Sequence, residues 1–171
     1  DFPKPGISFK DITPLLKNPI AFRHVIKRFA EFGSDREVDL IAGIDARGFL
    51  FAAPLAIQLG LPFIPVRKEG KLPYQTTSMG YSLEYGNSSM EIHTDAIIKG
   101  QRVLIIDDLL ATGGTMDASA RLIQRCGGEV VGHAVVIELV DLGGRDRLKG
   151  NSVVSLIQYK PMALKDQKER E

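Results

Sequence analysis

Apolar residues recur along this chain with two alternating periods. Phe22, Val25, Ile26 and Phe29 fall at helical spacing. Ahead of them stands Asn18-Pro19, a capping residue followed by a first-turn proline, and Gly33 ends the pattern. Residues 38–44 form an apolar run that predicts a strand. The turn Asp45-Ala46-Arg47-Gly48 separates it from a helical pattern over 49–59, which Gly60 stops. A strand over 63–66 ends in Arg67-Lys68. Residues 69–81 are polar and irregular, with Gly70, Pro73 and Gly80. Short strands at 82–85 and 90–93 flank a turn at Asn87-Ser88. Then come a strand over 103–106, a helix over 115–125 ended by Gly127-Gly128, a long apolar strand over 130–139, a short helix over 144–148 and a strand over 153–157. Residues 1–18 hold Pro3, Pro5 and Pro14 and read as an extended arm. Strands alternating with helices predict an α/β fold, a mainly parallel sheet flanked by helices, in a single domain over 1–171.

The stretch V-L-I-I-D-D-L-L-A-T-G-G-T over 103–115 carries the most chemistry. Its apolar start is that of a strand buried on both faces. Open α/β sheets bind ligands outside the carboxyl ends of their strands, where Asp107 and Asp108 fall. The following small-residue turn can aim backbone N–H groups and hydroxyls at an anion, with a helix N-terminus behind it. Paired acids suit hydroxyls and the turn suits a phosphate. There is no G-x-x-x-x-G-K-[ST] and no G-x-G-x-x-G after a strand, which excludes the usual P-loop and dinucleotide patterns. Arg47, in its turn, can reach an anion at the same sheet edge. Arg67-Lys68-Glu69-Gly70-Lys71 puts three cations within five residues. Alone this is a solvated face; beside a phosphate signature it suits a polyphosphate.

Joined in this order, 103–115 closely resembles the phosphoribosyl-diphosphate signature of the type I phosphoribosyltransferase family, and 109–115 is most similar to its adenine branch. The resemblance runs from Phe2 to about Tyr159 and also rests on the arm, the Arg47 turn, Lys71-Leu72-Pro73 and Ser82-Leu83-Glu84-Tyr85-Gly86. It implies transfer of a phosphoribosyl group from phosphoribosyl diphosphate to adenine, giving AMP and diphosphate in purine salvage. Asp107 and Asp108 then hold the ribose hydroxyls, and Ala111, Thr112, Gly113, Gly114 and Thr115 wrap the 5′-phosphate. Asp45, Ala46 and Arg47 form the diphosphate loop, with a non-proline cis peptide next to Asp45-Ala46, and Arg67, Lys68 and Lys71 add cations, some of them reaching across a dimer interface. Residues 69–93 make a flexible hood in which Glu84 handles a purine proton and Tyr85 closes over the ribosyl group. Ser8, Phe9 and Lys10 of the arm cover the adenine and Leu109 lies beneath it. Mg²⁺ is implied as a cofactor held through substrate oxygens and water, with no direct protein ligand. A homodimer is implied as well. Lys10 stands where many members have arginine, and it lacks the planar fork. Tyr74 stands where many have a small residue.

Composition adds limits rather than chemistry. A net charge of +1 gives no global bias toward nucleic acid or an anionic membrane. No stretch approaches the roughly 20 apolar residues of a membrane helix. The single cysteine, Cys126, forms no internal disulfide and fits a reducing, cytoplasmic setting. No signal peptide is visible, although the chain opens at Asp1 rather than methionine. His24, His93 and His133 lack metal-ligand spacing. Residues 160–171 mix both charges and read as a frayed tail. Three rival functions remain: the same fold acting on hypoxanthine or guanine, a non-catalytic phosphoribosyl-diphosphate sensor, and a degenerate homologue serving only as a partner subunit. Glu84, the full cation set and the lack of a basic stripe speak against the sensor.

Overall fold

The computed structural model describes residues 10–83 and 86–160, with the side chains of 82–87 left aside. The elements run α1 (Thr13–Lys17), α2 (Pro19–Ser34), β1 (Leu40–Ile44), α3 (Phe49–Leu59), β2 (Phe63–Lys68), β3 (Thr76–Leu83), β4 (Gly86–His93), β5 (Arg102–Leu110), α4 (Gly114–Arg125), β6 (Glu129–Leu139), a short 3-10 helix (Val140–Leu142), α5 (Gly144–Arg147) and β7 (Val153–Tyr159). The strands form one sheet in the order β3-β4-β2-β1-β5-β6-β7. Five neighbours, β2 to β7, pair in parallel, and the β3–β4 hairpin adds antiparallel to β2. This is the α/β architecture that the alternation of strands and helices predicts.

Strand alternation sorts the core into two layers. Leu40, Ala42 and Ile44 of β1 and Val103 and Ile105 of β5 pack with Ala118, Leu122 and Ile123 of α4. Ile41, Leu104 and Ile106 pack on the other face, with Phe29 of α2 and Phe51 and Leu55 of α3. A sheet covered on both sides has no solvated face in its centre, so β1 and β5 are apolar throughout rather than alternating. Helix ends follow the local chemistry. The Asn18 side chain accepts from the N–H groups of Ile20 and Ala21, each at 3.1 Å, and Pro19 opens α2. Gly60 closes α3 with φ +66°, a left-handed conformation that glycine adopts without strain.

Several elements differ from the sequence reading. The expected arm is helical over Thr13–Lys17: Asp11 accepts from the Thr13 N–H and Pro14 sits in the first turn, so this proline starts a helix rather than extending the chain. β3 begins at Thr76, inside the segment read as irregular, and Leu83 pairs with Gly86. Asn87 therefore stands opposite Ser82 within a ladder, not in a turn. β5 continues through both aspartates to Leu110 instead of ending at them. The tail over 161–171 and the arm over 1–9 lie outside the described residues.

Candidate active site

The chain reverses direction across the sheet between β1 and β5. From β1 it moves to β2 on one side, and it later returns to β5 on the other. Such a switch point leaves a crevice at the carboxyl ends of the two strands. A cavity of about 250 Å³ lies there, walled by residues 44–47 after β1, residues 107–116 along the end of β5 and into α4, and Lys68, Tyr81 and Met90.

The two carboxylates occupy different environments. Alternation along β5 puts Asp107 on the face of Ile105 and Asp108 on that of Ile106. Asp108 is buried, and the Arg47 Nε lies 2.9 Å from its Oδ2. The contact is an ion pair without hydrogen-bond alignment, so this oxygen accepts no hydrogen bond among the described residues. Asp107 accepts the Asp108 backbone N–H at 2.8 Å. Burial, and next the negative charge of Asp108, push the Asp107 carboxyl well above the usual carboxylate range. Such a pair can accept hydrogen bonds from the hydroxyl groups of a ligand.

The phosphate-type turn follows directly. Gly113 takes φ +79° and caps α4, whose first turn receives no side-chain cap. Its leading N–H groups are thus directed at the cavity mouth together with the helix dipole. The Thr115 hydroxyl donates to the Tyr81 hydroxyl at 3.1 Å, which ties the hairpin to this turn.

The β1–α3 turn supplies the cationic side. The peptide bond between Asp45 and Ala46 is cis, as the resemblance implies. A Cβ on Gly48 would meet the carbonyl oxygens of Ile44 at 2.5 Å and Ile106 at 2.8 Å, so only glycine lets α3 start this close to β1 and β5. Arg67 Nε and Lys71 Nζ lie 3.4 and 3.1 Å from the same Asp45 Oδ2. Burial pushes the Asp45 carboxyl up, but the Lys71 hydrogen bond and the Arg67 charge outweigh it and hold it below the usual range. Asp45 is therefore an anion that gathers cations.

Of the predicted residues, Asp45, Ala46, Arg47, Lys68, Asp107, Asp108, Leu109 and the turn over 111–115 meet at one cavity. Arg67 and Lys71 stand beside it, on Asp45. Lys10 instead lies 4.3 Å from the ring centre of Tyr159 on β7. Ser8, Phe9, Glu84 and Tyr85 lie outside the described residues. The sequence reading missed Tyr81 and Met90, which reach the cavity only because the hairpin folds back against α4. Among the described residues no group of three or more His, Cys, Asp or Glu could hold a metal ion. No described helix is long and apolar enough to cross a membrane.

Comparison with known proteins decides the family. The phosphoribosyl transferase domain model matches residues 11–161. An adenine phosphoribosyltransferase of Clostridium kluyveri is 54% identical over 158 residues, covering 92% of each chain. The chain belongs to the adenine phosphoribosyltransferase family. Among solved adenine phosphoribosyltransferases, that of Thermoanaerobacter pseudethanolicus superposes with a TM-score of 0.90 at 55% identity, covering 93% of this chain and 92% of its own. The Saccharomyces cerevisiae enzyme, crystallised with an imino-altritol bisphosphate and adenine, gives 0.85 at 39% identity over 91% and 90%. The fold is thus the type I phosphoribosyltransferase fold.

Proposed function

We infer that this protein transfers the 5-phosphoribosyl group of phosphoribosyl diphosphate to adenine, giving AMP and diphosphate in purine salvage. The observation that carries this reading is the meeting of the paired acids, the α4 turn and the Arg47 loop at one switch-point cavity, in a chain 54% identical to a named adenine phosphoribosyltransferase. The whole chain, 1–171, acts as one domain. The bond from the anomeric carbon to a diphosphate oxygen breaks, and a bond to a purine nitrogen forms, with positive charge developing on the sugar. Asp107 and Asp108 hold the ribose hydroxyls and favour that charge. The turn over 111–115 anchors the 5′-phosphate, a remote contact whose binding energy serves the reacting carbon. Arg47, Arg67, Lys68 and Lys71 stabilise the leaving diphosphate. Glu84 handles the purine proton, Tyr85 closes over the ribosyl group, and the hood over 69–93 excludes water. Ser8, Phe9, Lys10 and Leu109 bracket the base.

Mg²⁺ fits this site as an ion carried by the substrate. Asp107 and Asp108 line the cavity, and Asp108 Oδ2 accepts no hydrogen bond among the described residues, so these carboxylates would meet such an ion through its waters. When bound, the ion would neutralise diphosphate charge. The exposed apolar side chains of Leu50 and Ile57 on α3 support a homodimer, and the free Cys126 supports a cytoplasmic setting.

A steady-state assay over a panel of bases tests the assignment. Adenine should give diphosphate release far above hypoxanthine and guanine. Turnover of hypoxanthine without adenine would sink the adenine reading, and tight phosphoribosyl-diphosphate binding without any release would favour the sensor.

A further inference from the structure

Glu91 lies within β4 and is 3% exposed. It is no part of the cavity wall, yet its Oε1 accepts the backbone N–H groups of both Lys71 and Leu72 at 2.9 Å. Gly70 N–H and the Thr76 hydroxyl also help to hold the charge of this carboxylate. Burial pushes this carboxyl up, but these donors outweigh burial and hold it below the usual range. A buried carboxylate is costly unless its lone pairs are filled, and here loop backbone fills them.

The held segment joins β2 to β3 and carries Lys71. Arg67, which is Glu91's register partner across the β2–β4 ladder, donates from Nη1 to the Lys71 carbonyl at 3.0 Å. The N–H of Lys71 is thus fixed by Glu91, its carbonyl by Arg67, and its ammonium by Asp45. Asp45 in turn opens the loop that bears Arg47. One buried carboxylate on the hairpin therefore sets the backbone that carries Lys71 and whose carbonyl holds the Arg67 guanidinium, the two cations on Asp45.

We propose that Glu91 is a positioning residue for the diphosphate end of the site, fixing the backbone at 70–72 so that Lys71 and Arg67 meet the leaving diphosphate together. The proposal rests on the diphosphate role given to that loop above. It separates two ends of one cavity: the Glu91 carboxylate bonds the β2–β3 loop, whereas the hairpin meets the α4 turn through Tyr81 on the neighbouring strand. Loss of Glu91 should weaken diphosphate binding and spare AMP.

The test uses the full chain with Glu91→Ala and Glu91→Gln. Diphosphate with Mg²⁺, and AMP alone, are titrated separately by calorimetry. KM values for phosphoribosyl diphosphate and adenine and the melting temperature are measured alongside. For Glu91→Ala the diphosphate Kd and the phosphoribosyl-diphosphate KM should rise roughly tenfold or more. The AMP Kd and adenine KM should stay within about twofold. Glu91→Gln keeps a carbonyl acceptor without the charge and should fall between; should the alanine variant not fold, this one carries the comparison. Equal losses for AMP and diphosphate, or a lowered melting temperature with unchanged diphosphate binding, would reduce Glu91 to a plain loop anchor and overturn the proposal. A wild-type chain that binds no diphosphate overturns the functional reading and this proposal with it. A wild type that binds diphosphate beside an unaffected Glu91→Ala overturns this proposal alone.

Discussion

Two glycines from distant parts of the chain meet behind the phosphate-type turn. A Cβ on Gly144 would stand 2.1 Å from the Ala111 carbonyl oxygen and 3.0 Å from the Gly113 nitrogen. A Cβ on Gly113 would stand 2.5 Å from the Gly144 carbonyl oxygen, and Gly113 also needs φ +79°. The obstacles are backbone atoms, which cannot rotate away as a side chain does. Gly144→Ala must therefore displace the turn or α5, an overpacking cost of about 1–3 kcal/mol. If the displaced segment is the turn, AMP affinity should fall by roughly tenfold to a hundredfold while diphosphate affinity holds. Separate calorimetric titrations with AMP and diphosphate check this, and unchanged AMP binding would show that α5 yields instead. The contact was invisible in the sequence, because Gly113 and Gly144 stand 31 positions apart and Gly144 reads simply as the start of a short helix. Asp107 and Asp108, which come just after the apolar run inside β5, and Arg47, in the turn after β1, were legible for the opposite reason: a neighbouring apolar run places each near the carboxyl edge of the sheet.

Among the elements, the β3–β4 hairpin departs furthest from expectation. Thr76, Thr77, Ser78 and Gly80 lack an apolar stripe, and nothing in them competes with a loop reading. The strand forms because every residue from Thr76 to Leu83 has a partner on β4, and ladder hydrogen bonds with Met79 and Tyr81 packed on the core suffice at a sheet edge. Asn87 favours turns in isolation, yet the register set by Leu83 and Gly86 overrides that preference. By contrast α3 was legible to its last residue, since Gly60 and the apolar run act within the segment itself. The hairpin touches the phosphate turn through Tyr81 and Thr115. Tyr81→Phe keeps the buried ring and removes that bond together with the weak donation of the Tyr81 hydroxyl to Met90 Sδ at 4.0 Å, a net loss of about 0.5–1.5 kcal/mol. The KM for phosphoribosyl diphosphate should rise by less than about tenfold, with kcat and melting temperature near those of the wild type. An unchanged KM would mean that the Thr115 hydroxyl orients itself without the hairpin.

At the scale of the whole molecule, the central sheet holds a buried histidine that the site does not use. His133 lies in β6 between Ile105 of β5 and Val153 of β7, fully buried, and neither ring nitrogen has a hydrogen-bond partner among the described residues. Burial alone pushes it down to about 4 from the ordinary 6.5. The folded state thus holds a neutral ring where the unfolded chain takes up a proton. Stability is complete above about pH 6.5, and as pH falls toward 4 the unfolded state binds the extra proton and gains on the native one, by about 3 kcal/mol in all. Below 4 both states are protonated and this loss stops growing. Glu138 acts in a lower window: its Arg145 hydrogen bond, against the cost of burial, holds it at about 2, so its contribution is lost between about 4.5 and 2. The two groups are therefore separable by pH. His133→Leu removes the proton site while keeping an apolar group of similar bulk. Urea unfolding midpoints measured from pH 7.5 to 4.5 should fall steeply for the wild type and much less for this variant, and parallel curves would place the acid sensitivity elsewhere in the fold.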